Sequence, residues 1–252
     1  MTPVPDIATQ IRAIAFREYR TRSSIGASSY VWVALAPIAW IAVVIAAFEI
    51  LDRRIPLSTD VLTFVLSGVV PYMVFRFTVT GVIRARSSYR HVIKHLCVDP
   101  RVVFLTVTLV ELSNLLLLSV VLVTLNWAIL GNAVGVDLPA FTAGLCLASL
   151  LGSSFASLAI ALDGLRESFT RAIPVVLRPS FYLSAVFYIP EELPTGLSTL
   201  IAYNPLTHCV GIFREGLVES YTSIAASAGY VLIACALLVG GSWYRSERLV
   251  AA

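Results

Sequence analysis

The amino-acid sequence predicts an all-α membrane protein with six transmembrane helices, from its composition and from the spacing of its apolar stretches. Of its 252 residues, 58% are hydrophobic and only 13% are charged, and the mean hydropathy is +0.86. A soluble domain is nearer half apolar and a quarter charged. A transmembrane helix needs roughly 20 apolar residues, and six stretches meet that requirement. We place them at residues 30–51, 61–83, 103–130, 139–162, 173–189 and 224–244.

The segment before the first span, residues 1–27, predicts an amphipathic helix that lies in the plane of the membrane interface. Ile7, Ile11 and Ile14 fall at helical spacing, while four arginines occupy other positions of the same segment. An apolar stripe opposite a basic face is typical of interfacial helices. The alternative is a charged tail that only sets the topology.

The arginines and the single lysine predict the orientation of the chain. With the N-terminus inside the cell, 14 of the 18 basic residues fall on the inner side, and Arg53, Arg54 and Arg214 fall on the outer side. Positive charge is concentrated in cytoplasmic loops, so we expect both termini in the cytoplasm. Arg214 is then expected near the outer surface.

Residues 190–220, between the fifth and sixth spans, are too interrupted to cross a bilayer and too apolar for an ordinary loop. Pro190 and Pro194 break the preceding helix. Asn204 and Pro205 then match an N-cap and a first helical position. We therefore predict two outward re-entrant half-helices. Irregular backbone at membrane depth is tolerated only where protein buries it or where it lines a cavity, so this stretch indicates a pathway.

The sequence lacks the motifs of several enzyme classes. It has no GxxxxGK[ST] phosphate-binding loop, no HExxH zinc motif and no GxSxG nucleophile elbow. Its four cysteines lack metal-ligand spacing, and no basic domain suits nucleic acid. We therefore predict a chain that is not an enzyme and has no cofactor or metal of its own. The alternatives are an intramembrane enzyme acting on a lipid and a structural membrane subunit without transport.

Two charged residues fall inside predicted spans, which makes them functional candidates. Arg76 and Glu111 each lie eight or nine residues from the inner end of their span, or about 12–14 Å deep at 1.5 Å per residue. We predict that they pair between spans two and three. A pair that only locks two helices together is the alternative.

The inner loop between spans two and three, residues 84–102, predicts a short basic helix that docks on a partner protein. Tyr89, Val92, Ile93 and Leu96 form an apolar stripe on it. An interface-lying loop that only follows the positive-inside rule is the alternative.

Aromatic residues on the first and fifth spans offer surfaces for sugar rings, although interfacial belts of membrane proteins have the same composition. If the substrate is anionic, Arg178 and Arg76 are further candidate contacts. The aromatic candidates are Tyr30, Trp32, Trp40, Phe181, Tyr182, Phe187 and Tyr188.

The order of these features resembles a known family. An N-terminal helix with the run REYRTR, a first span rich in aromatics, a basic inner loop and an outer segment reading YNPLTHCVGIFREGL are similar to the membrane subunits of ABC-2 type exporters. Within that family the chain looks most similar to capsular polysaccharide export permeases of the KpsM type, which are related to O-antigen and teichoic-acid export permeases.

The resemblance implies a single ABC-2 transmembrane domain over residues 1–252, in the bacterial inner membrane. It implies a homodimer that works with two copies of a separate ATPase subunit, which binds ATP and Mg²⁺. The substrate is then a lipid-linked glycan that passes between the subunits, in contact with membrane lipid. A periplasmic co-polymerase or export protein is compatible with this assembly. The alternative is an ABC-2 exporter of a drug, lipid or other small molecule.

The resemblance also implies roles for particular residues. The first and fifth spans would line the channel with the aromatic candidates above, Arg76 and Arg178. The outer gate would contain Pro190, Pro194, Asn204, Pro205 and Arg214. The contact with the ATPase would contain Arg86, Tyr89, Arg90, Ile93, Lys94 and Leu96.

Overall fold

The fold is taken from a computed structural model. It describes residues 6–23, 27–50, 59–90, 98–130, 136–163, 169–219 and 221–250, with Asp52, Ile55, Leu57 and Val92 in addition. Within these ranges the structure does not describe the side chains of residues 21–23, 27–34, 36, 37, 129, 130 and 246–250.

The described residues form helices that follow one another along the chain. They are α1 Ile7–Ser23, α2 Ala27–Ile50, α3 Val61–Ser88, α4 Pro100–Leu130, α5 Leu138–Asp163, α6 Phe169–Tyr182, a 3₁₀ turn Pro190–Glu192, α7 Thr195–Ala202, α8 Pro205–Leu217 and α9 Ala228–Val250. The predicted all-α architecture is therefore confirmed over the described residues.

Four stretches in these helices are long and apolar enough to cross a membrane, namely Val61–Ser88, Pro100–Ala128, Leu138–Asp163 and Ala228–Arg245. Helix α2 has 24 residues and coincides with the first predicted span. Helix α6 has only 14 residues. At 1.5 Å per residue it is about 21 Å long, which is short of a hydrocarbon core of about 30 Å. A chain with six complete spans thus remains a prediction.

Helix α3 lies at the centre of the bundle and is buried along most of its length. It packs against α2, α4, α5, α6 and α8. Helix α5 comes especially close, because a Cβ atom at Gly152 would lie 2.7 Å from the carbonyl oxygen of Phe75. Small residues permit such backbone contacts between membrane helices. Helix α3 is therefore the scaffold that positions the other elements.

The long helices α3, α4 and α5 alternate in direction, so their ends fall into two groups. Arg86 donates to the Asp163 carboxylate at 3.0 Å. Asn126 donates to the Thr63 hydroxyl at 2.9 Å. We call the end that holds Arg86 and Asp163 the arginine end, and the end that holds Thr63 and Asn126 the far end.

The N-terminal helix α1 packs on the bundle at the arginine end. Its Ile14 joins a small apolar cluster with Ala85, Tyr89, Val103 and Val107 from α3, α4 and the residue that follows α3. The Tyr19 hydroxyl is 2.7 Å from Ser113 on α4. The predicted N-terminal helix is present, and its position in the membrane interface stays a prediction.

Candidate functional site

The candidate site begins where α6 stops, at Tyr182. The predicted fifth span, residues 173–189, is helical only to this point, and residues 183–189 form turns instead. Asn204 donates to the Leu183 carbonyl and to the Ser184 hydroxyl, both at 3.0 Å. Side-chain donors here replace the N–H groups that a continuing helix would have supplied. We call residues 183–194 the broken segment.

The junction between α7 and α8 matches its prediction. Asn204 is the N-cap of α8 and its side chain accepts the backbone N–H of Leu206 at 3.0 Å, while Pro205 occupies the first position of the helix. Pro190 begins the 3₁₀ turn and is buried, and Pro194 directly precedes α7. The same Asn204 side chain thus caps α8 and binds the two residues that follow α6.

Arg214, in the last turn of α8, is 0% exposed. Its Nε donates to the Ser67 hydroxyl of α3 at 2.9 Å. Its Nη2 donates to the Ala185 carbonyl at 3.0 Å and its Nη1 to the Tyr188 carbonyl at 3.2 Å. One guanidinium therefore joins α3, α8 and the broken segment. Arg214 is thus buried within the chain, under the broken segment that supplies its acceptors, and its expected position near the outer surface of the membrane stays a prediction.

Aromatic rings and a glycine complete the surroundings of this guanidinium. It lies over the Phe64 ring at 4.7 Å and near the Tyr221 ring at 5.9 Å, distances at which a cation is attracted to a ring face. A Cβ atom at Gly68 would lie 2.5 Å from the Val186 carbonyl oxygen, so the broken segment touches the backbone of α3. We call Arg214 and these neighbours, with Ser67, Ala185 and Tyr188, the Arg214 cluster.

The backbone of the broken segment is strained at one position in the Arg214 cluster. Ala185 has φ of 56°, a left-handed conformation that costs an alanine about 1–2 kcal/mol. Its carbonyl is one of the acceptors of Arg214. The hydrogen bond to the buried cation therefore helps to hold a conformation that the residue does not favour.

A carboxylate ties the Arg214 cluster to the segment that precedes α9. The Glu191 carboxylate accepts the Tyr221 hydroxyl at 3.0 Å and the backbone N–H of Ile224 at 2.8 Å. Burial raises the pKa of Tyr221 to about 12, so its hydroxyl stays protonated and donates at neutral pH. The broken segment is thus connected to α3, to α8 and to the segment between α8 and α9.

Four of the five predicted channel aromatics whose side chains are described lie together. The Phe181 ring is 5.3 Å from Trp40, 5.5 Å from Tyr182 and 4.8 Å from Phe187. It is also 4.6 Å from Tyr72 on α3, which the sequence did not single out. We call these five residues the aromatic cluster. Phe181 is its buried centre, while Trp40 and Tyr182 are 40% and 60% exposed.

The remaining channel candidates divide between the Arg214 cluster, the bundle surface and the undescribed side chains. Tyr188 belongs to the Arg214 cluster through its carbonyl, and its hydroxyl donates to the Tyr182 carbonyl at 2.9 Å. Arg178 is exposed on α6 and Arg76 is half-buried on α3. The side chains of Tyr30 and Trp32 lie outside the described residues.

The predicted pair of Arg76 and Glu111 is wrong. Glu111 lies 3.4 Å from Arg84, which is also 3.8 Å from Glu18 of α1. Gly81 leaves the space for Glu111, since a Cβ atom there would come within 2.6 Å of its carboxylate. Helical side chains tilt towards the N-terminus of their helix. Because α3 and α4 are antiparallel, Glu111 points to the arginine end and Arg76 points away from it.

The sequence predicted Tyr89 on an exposed docking stripe, but the structure buries this residue. It is 2% exposed, follows the last residue of α3, and donates its hydroxyl to Glu18 at 2.9 Å, while the Arg17 guanidinium lies 4.7 Å from its ring. Burial and the Glu18 carboxylate raise the pKa of the Tyr89 hydroxyl. The reason for the error is α1, whose docking covers this part of the loop.

Two arginines of the predicted docking helix remain on the surface. Arg90 is exposed, and Arg86 is exposed beside Asp163 at the end of α5. Ile93, Lys94 and Leu96 lie outside the described residues.

Sequence reasoning missed the residues of the Arg214 cluster that belong to α3, because they are apolar or small and lie within a predicted span. Pro71 carries a signal that could have pointed to them. A proline inside a helix leaves the carbonyl four residues earlier without its N–H donor, and that residue is Ser67. A serine and a glycine at this place mark a helix that another chain segment approaches.

Comparisons with known proteins agree with the resemblance seen in the sequence. A model of the ABC-2 type transporter family matches residues 9–218. Two relatives from Escherichia coli, each named polysialic acid transport protein KpsM, are 20% identical over 240 residues, which is 94% of this chain and 93% of the relative. The chain belongs to the ABC-2 type transporter family.

Proposed function

We propose that the chain is the permease subunit of an exporter that moves a lipid-linked, capsular-type polysaccharide across the bacterial inner membrane. A homodimer of the chain would form the pathway, and two copies of a separate ATPase would bind ATP and Mg²⁺. Membership of the ABC-2 type transporter family supports a transport role rather than a catalytic one. The two relatives, named for transport of a polysaccharide, support the substrate class.

The observation that carries the choice of a glycan is the exposed edge of the aromatic cluster. Trp40 and Tyr182 present their rings at the surface of the chain, beside the break that follows α6. Flat aromatic faces are apolar yet end in a polar group in both residues, which suits a sugar ring with an apolar face and hydroxyls at its edge. In the proposed homodimer, a second copy of the chain would close the pathway over these two rings.

Capsule export in cells tests this proposal. The gene for this chain is deleted and replaced by one that encodes the double variant Trp40→Ala and Tyr182→Ala. Polysaccharide at the cell surface is then quantified. Tyr244→Ala is the matched control, because Tyr244 is 59% exposed on α9, away from the aromatic cluster. We expect export to fall in the double variant and to persist in the control. Normal export in the double variant would refute the glycan assignment, and so would drug resistance without any polysaccharide export. The latter outcome would favour the alternative, an exporter of a drug or other small molecule.

The docking of the ATPase is tested at the arginine end. The exposed Arg90 supports a contact in the cytoplasm, whereas the buried Tyr89 is excluded from one. With Arg90→Cys and a thiol-to-amine cross-linker, we expect a covalent product with the ATPase subunit, and none with Tyr89→Cys beyond that of the unmodified chain. Cross-linking from Tyr89→Cys but not from Arg90→Cys would contradict a contact through the exposed face of this loop.

A further inference from the structure

We propose that His208 is a proton-sensitive latch, which holds the start of α9 against α8 while its imidazole is neutral and releases it when the imidazole is protonated. The latch would act in this way whatever substrate the chain transports. Its evidence is a single ring among α7, α8 and α9, with a hydrogen bond at each nitrogen.

His208 lies in the first turn of α8, where it is 7% exposed. Its Nε2 is 2.9 Å from the carbonyl oxygen of Ala202, the last residue of α7. Its Nδ1 is 3.1 Å from the backbone nitrogen of Ser227, the residue before α9. A carbonyl only accepts and a backbone N–H only donates. Nε2 therefore carries the proton and Nδ1 accepts, which is one tautomer of the neutral imidazole.

Ser227 occupies the N-cap position of α9, so His208 completes the cap of a neighbouring helix. The Ser227 hydroxyl accepts the backbone N–H of Tyr230, the third residue of α9, at 3.3 Å. In a capping box, a side chain of the same helix accepts the N–H of the N-cap residue. Here Nδ1 of His208 is that acceptor. The start of α9 is thus held by an acceptor that a proton can remove.

Protonation of Nδ1 would place two donors face to face, because the Ser227 N–H already points at this nitrogen. The hydrogen bond would be lost. The imidazolium would also lie at the N-termini of α8 and α9, where the helix dipole disfavours a cation. It would keep its bond to Ala202 at the C-terminus of α7, but that helix has only eight residues. The charged ring is therefore expected to release Ser227.

Tyrosines cover the ring on the side of α9. The Tyr230 ring lies 4.6 Å from the imidazole, and its hydroxyl donates to the Tyr203 carbonyl at 2.7 Å. A ring face attracts a cation only weakly where water is near, so this contact does not replace the lost hydrogen bond. Tyr203 and Ser227 are exposed, and a proton can reach the imidazole when either moves.

Other ionisable side chains bind the same region. The carboxylates of Glu215 and Glu191 accept the backbone N–H groups of residues 223 and 224, in the segment between α8 and α9. Arg214, six residues after His208 on α8, donates to α3 and to the broken segment. Histidine is the side chain whose charge ordinarily changes between about pH 5 and 8. His208 is therefore the group expected to respond first as the medium becomes acidic, and the carboxylates need a control of their own.

Nitrogen-15 NMR of the full chain in nanodiscs, labelled at histidine, tests the state of the ring. At pH 8 we expect one histidine with a protonated Nε2 and a bare Nδ1, and this signal should be absent from His208→Gln. At pH 5 both ring nitrogens should carry protons. The opposite tautomer at pH 8, a ring already charged there, or a ring still neutral at pH 5 would overturn the latch.

Hydrogen exchange of the same sample measures the release. After correction for the intrinsic effect of pH, we expect the protection of the Ser227, Tyr230 and Val231 amides to fall about tenfold from pH 8 to pH 5, as loss of one hydrogen bond implies. His208→Gln should abolish this pH dependence, because a glutamine amide can make both hydrogen bonds and does not titrate.

Two control variants separate His208 from the other titratable groups. His91→Gln with His95→Gln replaces the other two histidines of the chain and should respond to pH as the wild type does. Glu191→Gln with Glu215→Gln should also keep the response. A wild type whose protection does not change with pH, or an equal fall in His208→Gln, would overturn the proposal. Loss of the response in the glutamate variant but not in His208→Gln would assign it to the carboxylates and contradict the latch.

Discussion

Replacement of Arg214 by methionine should release the broken segment without unfolding the bundle. The change keeps a long side chain but removes the three hydrogen bonds that the guanidinium donates. Two of the acceptors are backbone carbonyls, of Ala185 and Tyr188, and each buried carbonyl left without a donor costs about 1–3 kcal/mol. The two carbonyls together therefore destabilise the closed segment by about 2–6 kcal/mol. Part of this is offset, because the variant no longer buries a charge, which costs several kcal/mol. A net effect of about 3 kcal/mol is roughly a hundredfold increase in the opening of the segment.

Hydrogen exchange of the chain in nanodiscs measures that opening. We expect the amides of residues 183–194 to exchange about a hundredfold faster in Arg214→Met, because each 1.4 kcal/mol of lost stability raises the opening equilibrium about tenfold. Exchange in α4, which does not contact the guanidinium, should stay as in the wild type. Arg178→Met is the matched control, because it removes an exposed cation from α6. Wild-type exchange of residues 183–194 in Arg214→Met would refute the view that this cation holds the segment.

Two paired substitutions test the packing of the same region. Gly68→Ala should lower the midpoint of thermal unfolding by about 5 °C, because its Cβ atom would lie 2.5 Å from the Val186 carbonyl oxygen and overpacking of this kind costs about 1–3 kcal/mol. Gly196→Ala, with no heavy atom within 4 Å of its Cβ position, should not lower it, and equal midpoints for the two variants would contradict the close approach. Phe181→Ala should destabilise the fold by about 3–5 kcal/mol, since the ring is the buried centre of the aromatic cluster. Tyr182→Ala should leave stability near that of the wild type and reduce export, so a large loss of stability there would show that its exposed ring has a structural role instead.

Local chemistry made part of this structure predictable. Asn204 followed by Pro205 has a preferred conformation of its own, so the sequence located the start of α8 correctly. Long apolar runs likewise located α3, α4, α5 and α9, because a helix is the way in which such a segment satisfies its backbone in lipid. The aromatic cluster was foreseen only as two separate faces, since their meeting depends on how α2 and α6 pack.

Tertiary contacts made the rest inaccessible to sequence reasoning. The turns that follow α6 accept hydrogen bonds from Asn204 and Arg214, which are more than 20 residues away from the carbonyls that they bind. The apolar character of the residues after Tyr182 predicts that the helix continues. Hydropathy cannot show that side chains from elsewhere in the chain supply the hydrogen-bond donors there. The number of residues between Glu111 and the end of its span says nothing about the direction of the side chain, and direction decided its contact with Arg84.

Reconstituted transport tests glycan export most directly. The chain and its ATPase subunit are placed together in proteoliposomes loaded on one side with a lipid-linked polysaccharide, and the polymer on the other side is measured with a glycan-degrading enzyme. We predict that the polymer crosses only when this chain, ATP and an ATPase with an intact phosphate-binding lysine are all present. Equal transfer without this chain, or ATP-driven movement of a small apolar dye but never of the polymer, would contradict a role as a polysaccharide permease.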